Sequence, residues 1–408
     1  MTPDITIDDI TRAKNRSGAS LDANVSPDLR SLLDLVSRVK NPAPAPAKTR
    51  DSLKKSTPII RPPVIVIAGG TDSITDELLV NYLAILTEAF HDFTGTIISG
   101  GTTAGICGLV GDVQDLYKDT IITIGYLPAK IPATEQIDIR YHEIRATEGN
   151  TFSVREPLRY WTDLLAYGIL PAEVKLIGIN GGNISAAEYR VALLLGAKVG
   201  ILDGSGQAAA ELLEDPAWNT SGNLIVLPQD GATLRAFVGS GAGFHRSKER
   251  EELAQHIHEE YRRMQRANPR IDPESPSLVS WKDLDPGLKD SNRSQADHIF
   301  TKLKETGYRM RKTRQTKPRI VPFTPEEVEH LAELEHGRWN AERLLAGWKY
   351  GPLKDNVRKI SPYIVPWTSL PEDVREWDRD PVRKLPELLA KMGYEIYRQD
   401  SAIHRNPG

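Results

Sequence analysis

Two hydrophobic periods alternate along the chain between about residues 58 and 245. Short runs with few polar positions recur at Val64–Ile67, Thr96–Ile98, Ile121–Tyr126, Val174–Ile179, Val199–Leu202 and Leu224–Leu227. A run that is apolar on both faces predicts a strand covered on both sides, as in a parallel sheet. The longer stretches between them carry apolar residues three or four apart and predict helices. Leu78, Leu79, Tyr82, Leu83 and Leu86 share one face from about Thr75, and Ser185–Leu195 repeats the pattern with Gly196 as its stop. Strand, glycine turn, helix and strand again make a βαβ crossover. The expected fold class is α/β, a Rossmann-like doubly wound parallel sheet that binds nucleotides.

The pattern changes on either side of that region. Residues 1–57 are predicted to be an arm or linker with one short helix through Leu29, Leu32, Leu33 and Val36, then the proline-alanine spacer Asn41–Lys48. Between the third and fourth strands, RYHEIRATEGNTFSVREP reads as a long polar loop of the binding or gating kind. Residues 246–275 are expected to form a connecting helix, and 276–402 a small, mostly α-helical domain. There Ser291 is expected to cap a helix through Ala296, Ile299, Phe300 and Leu303. Thr324-Pro325-Glu326-Glu327 is a capping box that opens a helix to about Ala346. A last helix over 371–392 is expected to break near Pro381 and Pro386.

Composition narrows the function classes. With 39% hydrophobic residues, 26% charged residues and a net charge of −3, the chain has no general attraction for nucleic acid or anionic membranes. No apolar run approaches the ~20 residues of a membrane span. The opening MTPDITIDDITRAK lacks the apolar core of a secretory signal. Cys107, the one cysteine, excludes an internal disulfide framework and is expected to be a buried small residue in a reducing, cytoplasmic setting. His256 and His258 lie two apart on a helix and His330 and His336 six apart, so no metal site is expected. The basic run Arg309–Arg319 is expected to be a solvated linker.

Candidate chemistry lies in three glycine loops that each follow a strand. They comprise Gly69, Gly70, Thr71 and Asp72; Ser99, Gly100, Gly101, Thr102 and Thr103; and Gly181, Gly182, Asn183 and Ser185. In a parallel sheet all three fall on one edge. Glycine lets a backbone approach closely, a helix N-terminus offers free N–H groups, and the hydroxyls can serve phosphate oxygens. GxxxxGK[ST] is absent and the first loop lacks GxGxxG, so neither a Walker NTPase nor an ordinary NAD dehydrogenase is indicated. The expected partner is a small nucleotide-derived ligand rather than a redox cofactor. Glu188 falls one helical turn past the third loop, where a carboxylate suits ribose hydroxyls or acid/base work at a glycosidic bond; the plain alternative is an ion pair with Arg190. Five of the seven tryptophans lie beyond residue 280. Arg338, Trp339, Arg343 and Trp348 there form either part of a tryptophan-rich core or a recognition surface for a ligand or protein partner.

The motif GGNISAAE resembles the GGxGTxxE signature of the SLOG superfamily, the Rossmann-like proteins named for Smf/DprA and Lonely Guy. SGGTTAGI and GNTFSVREPLRYWTDLLAYGI look like the SLOG domain of melastatin-type TRP channels and its prokaryotic relatives, over about Pro58–Phe244. SNRSQADHIFTKL, EHGRWNAERLLAGWKYG and VPWTSLPEDVREWDRDPVRKLPELL resemble the RyR domain first recognised in ryanodine receptors. The first resemblance implies one of two activities. Lonely Guy enzymes cleave the base from nucleoside monophosphates with the signature glutamate and an upstream arginine, which here would be Glu188 with Arg155 or Arg159. Channel-type members sense nucleotide-derived ligands such as ADP-ribose and its cyclic relatives. Ile184 stands where the enzymes keep glycine, Ser185 where they keep threonine, and their arginine-lysine pair before the fourth strand is missing. Those departures favour a sensor over an N-glycosidase. The implied protein is a homo-oligomeric nucleotide sensor that relays through its RyR domain, in prokaryotic signalling or antiviral defence.

Overall fold

The computed structural model describes residues 5–15, 26–40, 60–70, 74–239, 248–266, 275–313 and 318–398. The spacer Asn41–Lys48, together with Thr71 and Asp72 of the first glycine loop, lies outside the described residues. Two compact units are present, Met1–Ser240 with Arg343–Pro366 and Gly241–Glu342 with Trp367–Gly408.

In the first unit the six apolar runs form β1 (Val64–Gly69), β2 (Gly95–Ser99), β3 (Ile121–Pro128), β5 (Val174–Ile179), β6 (Lys198–Leu202) and β7 (Leu224–Leu227). With β4 (Glu143–Thr147) they make a seven-stranded sheet ordered β4-β3-β2-β1-β5-β6-β7, in which each pairing is parallel. The order reverses between β1 and β5. At such a switch point the flanking crossovers diverge and leave a crevice beyond the carboxyl ends of the strands. β4 corrects the expectation of a long loop. EIRAT pairs with β3 from Glu143 to Thr147, but as an edge strand it keeps charged residues partly exposed and lacks an apolar run.

Val64, Val66 and Ala68 face one helical layer and Ile65 and Ile67 the other, the period-two alternation of a strand. One layer holds α3 (Asp76–Phe90), α4 (Gly105–Leu116) and α8 (Gly231–Gly239). The other holds α5 (Arg155–Ala166), α6 (Asn183–Leu195) and α7 (Gln207–Glu214). The N-terminal arm adds to this second layer. Besides the expected helix, α2 (Pro27–Lys40), it contains α1 (Ile7–Asn15), and the two pack on α5 and α6. Ile10, Leu32 and Leu35 are wholly buried in the main core. The hydrophobic pattern does not announce α1, because Ile10 is the sole large buried apolar residue of so short a helix. Residues 343–366 carry two short strands, β9 (Lys349–Tyr350) and β10 (Ile360–Ser361).

The second unit is mostly helical, as expected. Along α9 (Lys248–Arg266) and α10 (Pro286–Glu305), Arg250 pairs with Asp297 and Arg293 with Glu251. α10 begins before Ser291, because Asp285 accepts from Gly287 N at 2.8 Å and Pro286 takes the first helical position. The capping box holds: Thr324 N donates to Glu327 Oε2 at 2.8 Å and Glu327 N to Thr324 Oγ1 at 3.2 Å, opening α11 (Pro325–Leu345). α12 (Glu372–Lys391) runs unbroken through Pro381 and Pro386, since Val374, Val382, Leu385 and Leu389 bury one face along its whole length. The basic run is not simply a linker. Tyr308–Lys312 is β8, antiparallel to β11 (Tyr394–Arg398), and Arg311 pairs with Glu395 at 2.7 Å.

Candidate functional site

The glycine loops after β1 and β5 meet at the switch point. A Cβ on Gly70 would stand 3.0 Å from Gly181 Cα and 3.4 Å from Gly182 N, so the two backbones touch where any side chain would part them. Tyr189, one α6 turn further in, fastens the junction from below. Its hydroxyl reaches Ala68 O at 3.2 Å and Asn180 O at 2.9 Å, one carbonyl from β1 and one from the turn that follows β5. Asn180 turns the chain at φ 57°, and Gly181 follows at φ 101°, a region that glycine occupies freely. Gly182 then caps α6 and faces open space, and Asn183 is exposed beside it. The first turn of α6 thus presents its N–H groups to the crevice.

The second loop contributes less than its hydroxyls promise. Ser99 is buried and donates to Ile67 O at 2.7 Å, a tie between β2 and β1. Thr102 is buried in a bridge to Ile137, and Gly101 backs onto Gly125 at φ 78°. Gly100 leaves room for Cys107, whose Sγ would lie 2.7 Å from a Cβ there. Thr103 alone of the three hydroxyl residues is exposed. Ser185 is buried under Gly181, with its Cβ filling the space that a side chain at Gly181 would need.

Glu188 sits half-buried behind this junction. It does not pair with Arg190, which points the other way and bonds Asp215 at 2.8 Å. Its partner is Tyr160 of α5, whose hydroxyl donates to Glu188 Oε1 at 3.0 Å. Burial pushes the Glu188 carboxyl up to about 7; Tyr160 opposes that shift and the charge of Glu156 adds to it. Glu156 itself is buried and accepts from Thr147 Oγ1 and from Ser153 N. Cys107 faces the same region. Burial raises its thiol, the Glu188 charge adds to the rise, and the group stays protonated.

Sequence reasoning missed Tyr160, Glu156 and Asp28. Arg155 lies on the first turn of α5, with Nε 3.2 Å from Asp28 Oδ1. Arg159 is largely exposed and pairs with Asp163 at 3.1 Å. In the helical unit, Arg338 is buried between Glu335 and Glu342 and is no part of a surface, and Trp339 stacks with His336. Arg343 and Trp348 belong to the first unit, where Arg343 lies 5.1 Å over the Trp348 ring.

Residues 62–238, which hold all seven strands and the switch point, match the family model described as SLOG in TRPM, prokaryote. Residues 315–398 match the RyR domain. The chain joins a SLOG domain to a RyR domain. Among solved structures, the SLOG fold is similar to a molybdenum cofactor binding protein from the phototrophic bacterium Rippkaea orientalis, at 19% identity and a TM-score of 0.30 over 42% of this chain and 90% of that one. The molybdenum cofactor carrier protein MCP from Chlamydomonas reinhardtii gives the same identity and TM-score over 41% of this chain and 90% of its own. No described helix is long and apolar enough to cross a membrane.

Proposed function

We propose that the SLOG domain binds a nucleotide-derived ligand of the ADP-ribose or cyclic ADP-ribose class in the crevice at the β1–β5 switch point. The observation that carries this reading is the contact of Gly70 with Gly181 and Gly182, bare backbone at the N-terminus of α6, with Glu188 one turn behind. Phosphate oxygens lie against the α6 N–H groups, and ribose hydroxyls reach the carboxylate. The RyR domain passes the bound state to a protein partner, in a homo-oligomer of cytoplasmic signalling or defence. Calorimetry with AMP, NAD, ADP-ribose and cyclic ADP-ribose is the test. Binding that disappears in Gly182→Val supports the reading, and no heat with any of the four overturns it.

A second reading, nucleotide N-glycosidase, is favoured by one observation. A carboxyl held near 7 is matched to protonating a leaving base at neutral pH. Chromatography of AMP and NAD incubated at high protein concentration decides it. Free adenine or nicotinamide supports catalysis by Glu188, and intact substrate excludes it.

A further inference from the structure

Arg155 begins α5, and its Nε lies 3.2 and 3.3 Å from the two carboxylate oxygens of Asp28, a residue 127 positions away. This pair stands at the crevice edge of the sheet. Thr147, the last residue of β4, donates its hydroxyl to Glu156 next to Arg155, which places the start of α5 at the carboxyl ends of the strands. The start of α6 lies at the same edge, and the two helices are joined by Tyr160 and Glu188. Asp28 is delivered there by α2, which Leu32 and Leu35 anchor in the core. The anchor is firm but the pair is not sealed, since the Arg155 side chain keeps 37% of its exposure.

We propose that Asp28 is an internal competitor for Arg155. Its carboxylate occupies an anion subsite at the rim of the crevice, and a ligand phosphate takes the guanidinium over from it. The proposal rests on the nucleotide-binding reading and assigns a phosphate contact within it. A carboxylate and a phosphate present similar oxygens to a guanidinium, and the phosphate carries more charge. The carboxylates Asp28 and Glu156 stand beside Arg155 at this edge, and the guanidinium supplies the opposite charge that a phosphate needs next to them. Exchange of one oxyanion for another leaves Arg155 paired throughout, which keeps its cost low. The N-terminal arm thereby becomes part of the binding site and sets its threshold.

The test is calorimetry on the full chain with ADP-ribose, AMP and inorganic pyrophosphate as probes, and adenosine as a probe without phosphate. Asp28→Asn and Asp28→Ser should each bind the phosphate probes about 5-fold more tightly, the factor by which a partly exposed pair competes. Adenosine affinity should not move. Arg155→Gln should bind the phosphate probes more weakly, and adding Asp28→Asn to it should recover nothing. Parental affinity in both Asp28 variants, with the parent binding normally, overturns the competitor and leaves the nucleotide reading intact. No binding of any probe by any form overturns both. Hydrogen exchange of the parent gives a check free of mutation: amides in the first turn of α2 should exchange faster when ADP-ribose saturates the protein. Unchanged exchange there counts against the proposal.

Discussion

The Tyr160 hydroxyl donates to Glu188 Oε1 at 3.0 Å and joins α5 to α6 behind the glycine junction. This bond favours the charged form of Glu188, while burial and the Glu156 charge favour the neutral one, and the balance stands near 7. Tyr160→Phe removes the hydrogen bond that favours the carboxylate. The Glu188 midpoint should therefore rise above its parental position, by about one pH unit for a single lost hydrogen bond. A carbon-detected NMR titration of labelled glutamate reads it directly. A midpoint that falls would mean that Tyr160 shields Glu188 from water more than it bonds it.

Gly181 and Gly182 are adjacent and should respond in opposite ways. At Gly181 a side chain is strained by φ 101° and would stand 2.4 Å from Ser185 Cβ. Gly181→Ala should lose about 2 kcal/mol of stability. Gly182 faces open space at an ordinary φ, so Gly182→Val should lose only about 1 kcal/mol, the cost of a poor N-cap. Yet its side chain projects where the ligand is placed. Denaturant melts and calorimetry together separate the two: Gly182→Val stays folded and loses nucleotide binding. A folded Gly182→Val that binds normally would move the ligand away from α6.

Much of this was legible in the sequence wherever burial is complete. Six strands announce themselves because a parallel sheet covered on both faces needs uninterrupted apolar runs. β4 does not, because Glu143 and Arg145 sit on an edge and pair with each other at 3.1 Å. The glycine loops were visible one at a time, but the contact of Gly70 with Gly181 follows from β1 lying beside β5, a long-range fact that no local pattern carries. Ser99 was misleading in the same way, since its acceptor, Ile67 O, belongs to another strand. The Glu188 partner could have been half-read. Residues two apart on a helix do not face each other, which already counts against Arg190. Nothing local points to Tyr160 or Asp28, which arrive from α5 and α2.

Lys175 makes a prediction of opposite electrostatic sign. It is buried on β5, donates to Val238 O at 2.9 Å, and is pushed down to about 7 by burial and then by the charge of Lys198. In the unfolded chain a lysine titrates near ~10.4. Between about 7 and 10 the unfolded chain therefore holds a proton that the folded protein has shed, so stability rises with pH through that window. Below 7 the full cost of a buried ammonium remains. Lys175→Met should be more stable than the parent by about 3 kcal/mol at pH 6, after allowing for the lost bond to Val238. The advantage should shrink toward pH 10. Thermal melts at the two pH values check it, and a pH-independent difference would place the cost in packing rather than charge.

In the RyR domain the decisive comparison is between Arg338 and Arg343. Arg338 Nη2 and Nε bond Glu335 Oε1 at 2.8 and 3.0 Å, Nη1 bonds Glu342 at 2.6 Å, and Lys302 reaches Glu335 from α10. Burial alone would raise the Glu335 carboxyl, but Arg338 and Lys302 hold it well below the usual carboxylate range. Removing Arg338 leaves a buried carboxylate short of its main counter-charge, which costs about 3–5 kcal/mol. Arg343, half-buried over Trp348, contributes a cation–π contact of about 1 kcal/mol. Urea unfolding should therefore show Arg338→Met lowering the midpoint several times more than Arg343→Ala. Comparable midpoints would mean that water reaches Glu335, and that this helix face is open enough to serve as the recognition surface which its charges and tryptophans suggest.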